Sequence, residues 1–173
     1  MLSKDVMKIK YHKGWTTHIT MLLKTVGRSD GHVLELGAGI FSTPLLHWLC
    51  KDRNIKLVTL ENNIDYFNFA RQFRSRLHSI KFIEKTEDFP VRGHWGVVFI
   101  DHEMPYQKRG EDAVRFKDNA NYIVLHDTET EKLYGYDKIW EHFKYRYDWR
   151  ECRPWTSVVS NFKDLSWLDD HNI

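Results

Sequence analysis

The stretch VLELGAGIFSTPLL, residues 33–46, decides the fold class that we predict for this chain. Its first four residues, Val33–Leu36, predict a buried strand, and two glycines directly after them predict a tight turn. Thr43 and Pro44 then predict a helix start, as the cap residue and the first helical residue. A strand, a glycine turn and a helix in this order direct backbone N–H groups toward a bound ligand.

Composition limits the classes of protein to which the chain can belong. Its 173 residues predict one domain over 1–173, and 26 basic against 24 acidic residues argue against strong attraction to nucleic acid or anionic membranes. Two cysteines, Cys50 and Cys152, in no motif spacing indicate a reducing compartment, so we expect a cytoplasmic protein. No stretch approaches the ~20 apolar residues of a membrane helix, and residues 1–15 lack the apolar core of a signal peptide.

The order of predicted elements along the chain is strand and helix in alternation. Predicted helices cover 16–26, 44–51, 64–77, 112–119 and 132–145, and predicted strands cover 33–36, a segment ending near 60, 80–84, 95–101, 122–127, 148–152 and 156–162. Alternation predicts parallel strands, whereas the short connection between the last two strands predicts an antiparallel pair. The chain is therefore predicted to be an α/β protein with a doubly wound, mostly parallel seven-stranded sheet and a C-terminal antiparallel pair.

Acids and histidines follow four of the predicted strands. They are Glu35, Glu61, the pair Asp101 and His102, and the pair His126 and Asp127. Open sheets of this type bind ligands beyond the carboxyl ends of their strands, so these side chains predict a shared functional rim. The alternative is that they only mark where each strand ends.

The ligand at this rim is narrowed by the glycine turn. A dinucleotide-binding turn has the pattern GxGxxG, and GAGIFS departs from it at Ser42, which argues against a nicotinamide cofactor. Glu61 lies 22 residues beyond Gly39, at the end of the second strand, where a carboxylate can accept both hydroxyls of a ribose.

Four segments, LELGAGIFSTPLL, VTLENN, VVFIDH and YIVLHD, resemble the successive motifs of the class I S-adenosylmethionine-dependent methyltransferases. The resemblance covers about residues 33–127, with looser similarity to the small-molecule O-methyltransferases. It implies S-adenosylmethionine as the cofactor, in a Rossmann-like domain. The cofactor-binding residues that it implies are Glu35, Gly37, Ala38, Gly39, Glu61, Asn62, Asp101 and His102.

The resemblance also implies individual roles. The glycine turn would pass close to the methionyl part of the cofactor, Glu35 would hold its amino end, and Glu61 would bind the ribose. The family often has an acid facing the adenine amine just after strand three, where this chain has Lys85, with Glu87 as the alternative. Thr16 and Thr17 would either close over the cofactor's carboxylate or only cap the first helix.

Catalysis is expected at the ends of strands four and five. Asp101, His126 and Asp127 are the candidate bases for a hydroxyl acceptor, because they are titratable groups on the rim. Cation-dependent relatives hold a divalent ion with an aspartate after strand four and an Asp-Asn pair after strand five, and here Thr128 replaces the asparagine. A magnesium or calcium ion is therefore not favoured. We expect a proton and the nearby His102 and His126 to offset the repulsion between the two aspartates.

The predicted function is methyl transfer to a small-molecule or sugar hydroxyl. Lys108 and Arg109, in a polar segment after strand four, are able to meet an anionic group of this acceptor. The alternative for Arg109 is a salt bridge on the protein surface. We expect neither stable nucleic-acid binding nor a membrane association, and the oligomeric state stays open. The alternatives are methylation of a nucleic acid or protein with a partner, and a non-catalytic nucleotide-binding module.

Overall fold

The computed structural model describes residues 13–103 and 105–169, so the expectation for the first twelve residues lies outside the described part. The helices are Ile19–Arg28 (α1), Ser42–Asp52 (α2), Ile64–Ala70 (α3), Lys108–Phe116 (α4) and Glu131–Tyr134 (α5). The strands are Val33–Leu36 (β1), Leu57–Glu61 (β2), His78–Phe82 (β3), Trp95–Ile100 (β4), Ala120–His126 (β5), Tyr145–Trp149 (β6) and Thr156–Ser160 (β7).

One seven-stranded sheet organises the fold, in the order β3-β2-β1-β4-β5-β7-β6. The first five strands pair in parallel, and β7 runs antiparallel to both β5 and β6. This arrangement confirms the predicted fold class. The strand order reverses between β1 and β4, so the crevice expected of a doubly wound sheet opens where these two neighbours end.

Alternating apolar side chains give the sheet two buried faces. Val97 and Phe99 of β4 pack with α1 and α2 on one face, whereas Val98 and Ile100 pack with α4 on the other. Strands buried on both faces read as continuous apolar runs, which is why β4 and β5 are recognisable in the sequence. Because helices cover both faces, the carboxyl ends of the parallel strands are left as the edge at which a site can form.

Several predicted boundaries are wrong. The helix over 64–77 ends at Ala70 with one 3₁₀ turn, because the chain must turn to enter β3 at His78. The helix over 132–145 ends at Tyr134, where Gly135 adopts a left-handed conformation with φ of 72°, and two 3₁₀ turns follow. The helix predicted over 112–119 begins four residues earlier, as α4. The strands predicted over 80–84 and 148–152 begin two and three residues earlier, as β3 and β6.

In the described ranges, each helix is too short or too polar to cross a bilayer.

Candidate functional site

A cavity of about 310 Å³ lies at the carboxyl ends of β1, β2, β4 and β5. The predicted site residues that line it are Ala38, Gly39, Glu61, Asp101, His102, His126 and Asp127. The structure therefore brings together residues from four separate strand ends. Glu35, Gly37 and Asn62, the other predicted binding residues, are not among the residues that line it.

The turn after β1 requires glycine at its first position. Gly37 has a φ of 93°, and a Cβ atom there would lie 2.5 Å from the Cα atom of His102. Its N–H group donates to the carbonyl of Leu60 at 2.9 Å. The turn is therefore wedged between the ends of β2 and β4, and the backbone of the next residues faces the cavity.

Glu61 closes this turn from the neighbouring strand. Its carboxylate accepts hydrogen bonds from the backbone N–H groups of Ala38 (2.6 Å), Asn62 (2.7 Å) and Asn63 (2.6 Å). Burial raises the pKa of Glu61, although these three hydrogen bonds oppose the rise. The carboxylate is thereby fixed in position beside the glycine turn, and Glu61 lines the cavity.

Glu35 lies beneath the turn and is fully buried. Its carboxylate accepts hydrogen bonds from Ser42 (2.7 Å), Thr43 (3.0 Å) and Thr59 (2.6 Å). Burial raises its pKa to about 7, against these hydrogen bonds. Glu35 holds the first turn of α2 against β1 and β2, so any contact with a ligand would pass through that turn.

The start of α2 differs from the sequence-based prediction. The helix begins at Ser42 with Phe41 as its cap residue, two positions before the predicted start at Pro44 with Thr43 as the cap. The Thr43 hydroxyl accepts from the N–H group of Gly39 at 3.0 Å and donates to Glu35. Thr43 therefore links the glycine turn to the buried carboxylate instead of capping the helix.

Glu87, the alternative for the position facing the adenine, is engaged elsewhere. It forms an ion pair with Lys108, which also contacts Glu111 at 2.7 Å. The Lys108 ammonium is consequently held by two carboxylates at the start of α4. The expectation that it meets an anionic acceptor does not agree with this arrangement.

Arg109 lies inside the site and is only 3% exposed. Its Nη1 atom is 3.0 Å from Asp101 Oδ1 and 2.8 Å from Asp127 Oδ2, and its Nε group donates to the carbonyl of His102 at 2.6 Å. The alternative that Arg109 is a surface salt-bridge partner is therefore wrong, because the guanidinium is buried and pairs with two carboxylates of the site. The repulsion between the two aspartates is therefore offset by this guanidinium and by His126. The expected contribution of His102 is absent, because its ring contacts Asp112 at 3.0 Å.

His126 is held at both ring nitrogens. Nδ1 lies 3.2 Å from Asp101 Oδ1, and Nε2 lies 2.9 Å from Thr17 Oγ1. Thr17 donates its own hydroxyl hydrogen to the carbonyl of Gly14 at 3.1 Å, so its oxygen accepts from the imidazole. Both ring nitrogens then act as donors, which describes an imidazolium.

The electrostatics of the pair agree with that assignment. Burial lowers the pKa of His126, but the Asp101 carboxylate outweighs burial and raises the pKa overall. Burial likewise raises the pKa of Asp101, and the charges of His126 and Arg109 overcome it and hold the pKa well below its usual value. Thr17 thus contacts His126, whereas the cap position of α1 is His18, without a side-chain capping bond.

Two further features escape a reading of the sequence. Asp127 has a φ of 59°, a left-handed conformation that few non-glycine residues adopt, and which turns the chain sharply after β5. His18 lines the cavity, is 3% exposed, and has no hydrogen-bond partner at either ring nitrogen among the described residues. Burial, then the nearby His126, lowers its pKa to about 4, so the ring is neutral near pH 7.

The chain resembles proteins of known structure in its fold but not in its sequence. No protein-family model and no curated protein matches the sequence. The O-methyltransferase from Bacillus cereus in complex with SAH superposes with a TM-score of 0.59 at 14% identity, over 90% of this chain and 84% of that one. Cofactor-bound Rv0187 from MTB gives 0.64 at 15%, over 90% and 84%. The N-terminal domain of human METTL16 in complex with SAH gives 0.59 at 12%, over 90% and 73%.

At these identities the similarity establishes the fold. The superposed chains share the overall arrangement of strands and helices with this chain. What this chain does with that rim depends on its own side chains.

Proposed function

We propose that this chain, which has the fold of the class I S-adenosylmethionine-dependent methyltransferases, transfers a methyl group from S-adenosylmethionine to a hydroxyl group of a small molecule or sugar. The observation that carries the proposal is the hydrogen bond between Ala38 and Glu61. A backbone N–H of the glycine turn meets the carboxylate of the second strand end at 2.6 Å, on the wall of the cavity. Two of the structures with this fold contain SAH.

The cofactor side of the cavity is assigned to the turn and to β2. The backbone of Gly37 to Gly39 would pass the methionyl part, and the Glu61 carboxylate would accept the ribose hydroxyls. Asn62 would lie beside the adenine. Glu35 supports this seat from below through Ser42 and Thr43, because its carboxylate lies under the turn.

The reacting side is assigned to Asp101, His126 and Asp127. The sulfonium supplies its own reactivity, so the protein chiefly aligns the acceptor and receives its proton. As the new oxygen–carbon bond forms, the carbon–sulfur bond breaks, and the hydroxyl proton passes to the carboxylate of Asp101 or Asp127. The His126 imidazolium already carries a proton on each ring nitrogen, so its role is to hold Asp101 and to offset its charge. Arg109 and Thr17 hold these residues in position.

The charge of the lining favours an acceptor without phosphate groups. The wall carries the acidic residues Glu61, Asp101, Glu103 and Asp127, and the cations Lys13, Arg109 and the His126 imidazolium. Four carboxylates against three cations leave the wall with an excess of negative charge, which disfavours a polyanion such as RNA. Trp15, Tyr106 and Tyr134, also on the wall, offer aromatic faces on which a sugar or phenol ring can stack.

The proposal is tested by methyl transfer from labelled S-adenosylmethionine to a panel of sugars, phenols and a short RNA. We expect label in a hydroxyl compound, and a strong loss of turnover in Asp101→Asn and Asp127→Asn with little change in affinity for S-adenosylhomocysteine. Label in RNA alone would favour the nucleic-acid alternative. Normal turnover in the double Asn variant would remove the pair from the mechanism.

A further inference from the structure

The carboxylates that end β4 and β5 share a single buried cation. Arg109 Nη1 bridges Asp101 Oδ1 at 3.0 Å and Asp127 Oδ2 at 2.8 Å. A guanidinium keeps its charge at any physiological pH, so this bridge does not depend on protonation. Without it, two carboxylates would face each other in a poorly solvated site, at a large electrostatic cost.

The same groups form a set of ligands for a divalent ion. One ligand atom from each of His18, Asp101 and His126 lies within 4.8 Å of the others. Asp127 adds a second carboxylate, since its Oδ1 atom is 3.6 Å from His126 Nδ1. Carboxylate oxygens and imidazole nitrogens are ligands that Mn²⁺ and similar ions accept. The residues present do not fit such an ion, however, because the guanidinium lies between the two carboxylates.

We infer that Arg109 is a built-in substitute for a divalent metal ion, and that removing its side chain converts the cluster of Asp101, Asp127 and His126 into a metal-binding site. The inference concerns the resting protein and holds whatever the acceptor is. It makes Arg109 a positioning residue, which fixes both aspartates at the separation that the site requires.

The fold secures this guanidinium from every side. Its Nε group donates to the His102 carbonyl at 2.6 Å, and its plane lies over the Tyr134 ring, 4.2 Å from the ring centre. Gly110 lets α4 approach this closely, because a Cβ atom there would lie 2.4 Å from the carbonyl oxygen of Gly135. Arg109 is therefore held by a carbonyl, an aromatic ring and two carboxylates, which is unlike an arginine on a flexible surface.

The test is a Mn²⁺ titration of the untagged full chain, followed by electron paramagnetic resonance. We expect no saturable site in the wild type, and a saturable site in Arg109→Ala. The apparent Kd of that site for Mn²⁺ should be at least about tenfold lower (about 1.4 kcal/mol) than that of any weak binding by the wild type. Mn²⁺ should also raise the melting temperature of Arg109→Ala and leave that of the wild type unchanged. Arg109→Lys keeps the charge and should gain no site.

Arg146→Ala is the matched control. Arg146 also bridges two carboxylates, Asp148 at 2.8 Å and Glu131 at 3.3 Å, but on the surface and away from the cavity histidines. Its removal should not create a Mn²⁺ site. A gain in Arg146→Ala equal to that in Arg109→Ala would contradict the inference.

Three other outcomes would also overturn it. One is a saturable wild-type site that Asp101→Asn abolishes, because the ion would then bind with the guanidinium in place. Another is a folded Arg109→Ala, checked by circular dichroism, that binds Mn²⁺ no better than the wild type. The last is an Arg109→Ala that stays unfolded even with excess Mn²⁺. Binding of S-adenosylhomocysteine, measured in parallel, tests the proposed function separately.

Discussion

The two sides of the cavity hold their carboxylates by different means. On the cofactor side, Glu61 is fixed by three backbone N–H groups from two adjacent segments. On the reacting side, Asp101 and Asp127 are fixed by side chains that come from α4 and from the end of β5. A backbone-held carboxylate depends on the course of the chain, whereas a side-chain-held one depends on single residues. Substitution of a neighbouring side chain should therefore disturb the second arrangement more than the first.

The largest effect is expected at Gly37, whose substitution would break the cofactor side. Gly37→Ala must place its Cβ atom against the backbone of His102 in a left-handed conformation, so we expect a loss of roughly 3 kcal/mol or more in the free energy of unfolding. Urea denaturation measures it. Gly27→Ala is the control, because nothing lies near its Cβ position in α1, and it should leave stability equal or higher.

Glu35 should make stability depend on pH. Its folded pKa is raised to about 7 from 4.5, so its contribution to stability is fully present below pH 4.5 and is lost as the pH rises through 7. The full loss is about 3 kcal/mol. Thermal melts of the wild type and Glu35→Gln from pH 4 to pH 8 should differ in slope over this interval. Parallel slopes would mean that Glu35 is ionised in the folded protein at no cost.

Glu61→Ala should weaken binding of S-adenosylhomocysteine by roughly 1.5–3 kcal/mol, because a charge-assisted contact with the ribose is lost. Calorimetry with an analogue that lacks the ribose hydroxyls completes a double-mutant cycle. The analogue should bind the wild type poorly, yet lose little more in Glu61→Ala. Strictly additive losses would show that Glu61 does not contact the ribose.

The smallest effect is expected at Thr17, on the reacting side. Thr17→Val keeps the shape but leaves His126 Nε2 without its acceptor, which should cost about 1 kcal/mol of stability. Thr16→Val, one residue earlier and exposed, serves as the control and should be neutral. Equal stabilities of the two variants would show that the contact between Thr17 and His126 does not stabilise the folded protein.

The same difference explains what could be predicted from the sequence. The glycine turn and Glu61 are recognisable because their partners are backbone groups near strand ends, which follow from strand order alone. Arg109 is not, because its partner Asp127 lies 18 residues away, and the contact depends on how α4 packs against the sheet. The long helix expected near the C-terminus failed for a local reason, the left-handed turn at Gly135.

His18 shows the same limit from another direction. Its helix was expected, yet nothing in the spacing of residues 16–26 indicates that the ring packs edge-on against His126, with ring centres 4.8 Å apart. Helical periodicity shows which face is apolar, and the buried face of α1 carries Met21 and Leu22 beside this histidine. The sequence alone does not show whether a polar residue at the edge of such a face belongs to the core or to the site. That distinction requires the positions of the neighbouring strand ends.

Calorimetry of the wild-type chain with S-adenosylhomocysteine and with NAD, in parallel, tests the central claim most directly. A cavity built from the glycine turn and Glu61 should bind S-adenosylhomocysteine at micromolar strength, around −8 kcal/mol, and show no saturable heat with NAD. Saturable binding of NAD with no response to S-adenosylhomocysteine would contradict the account.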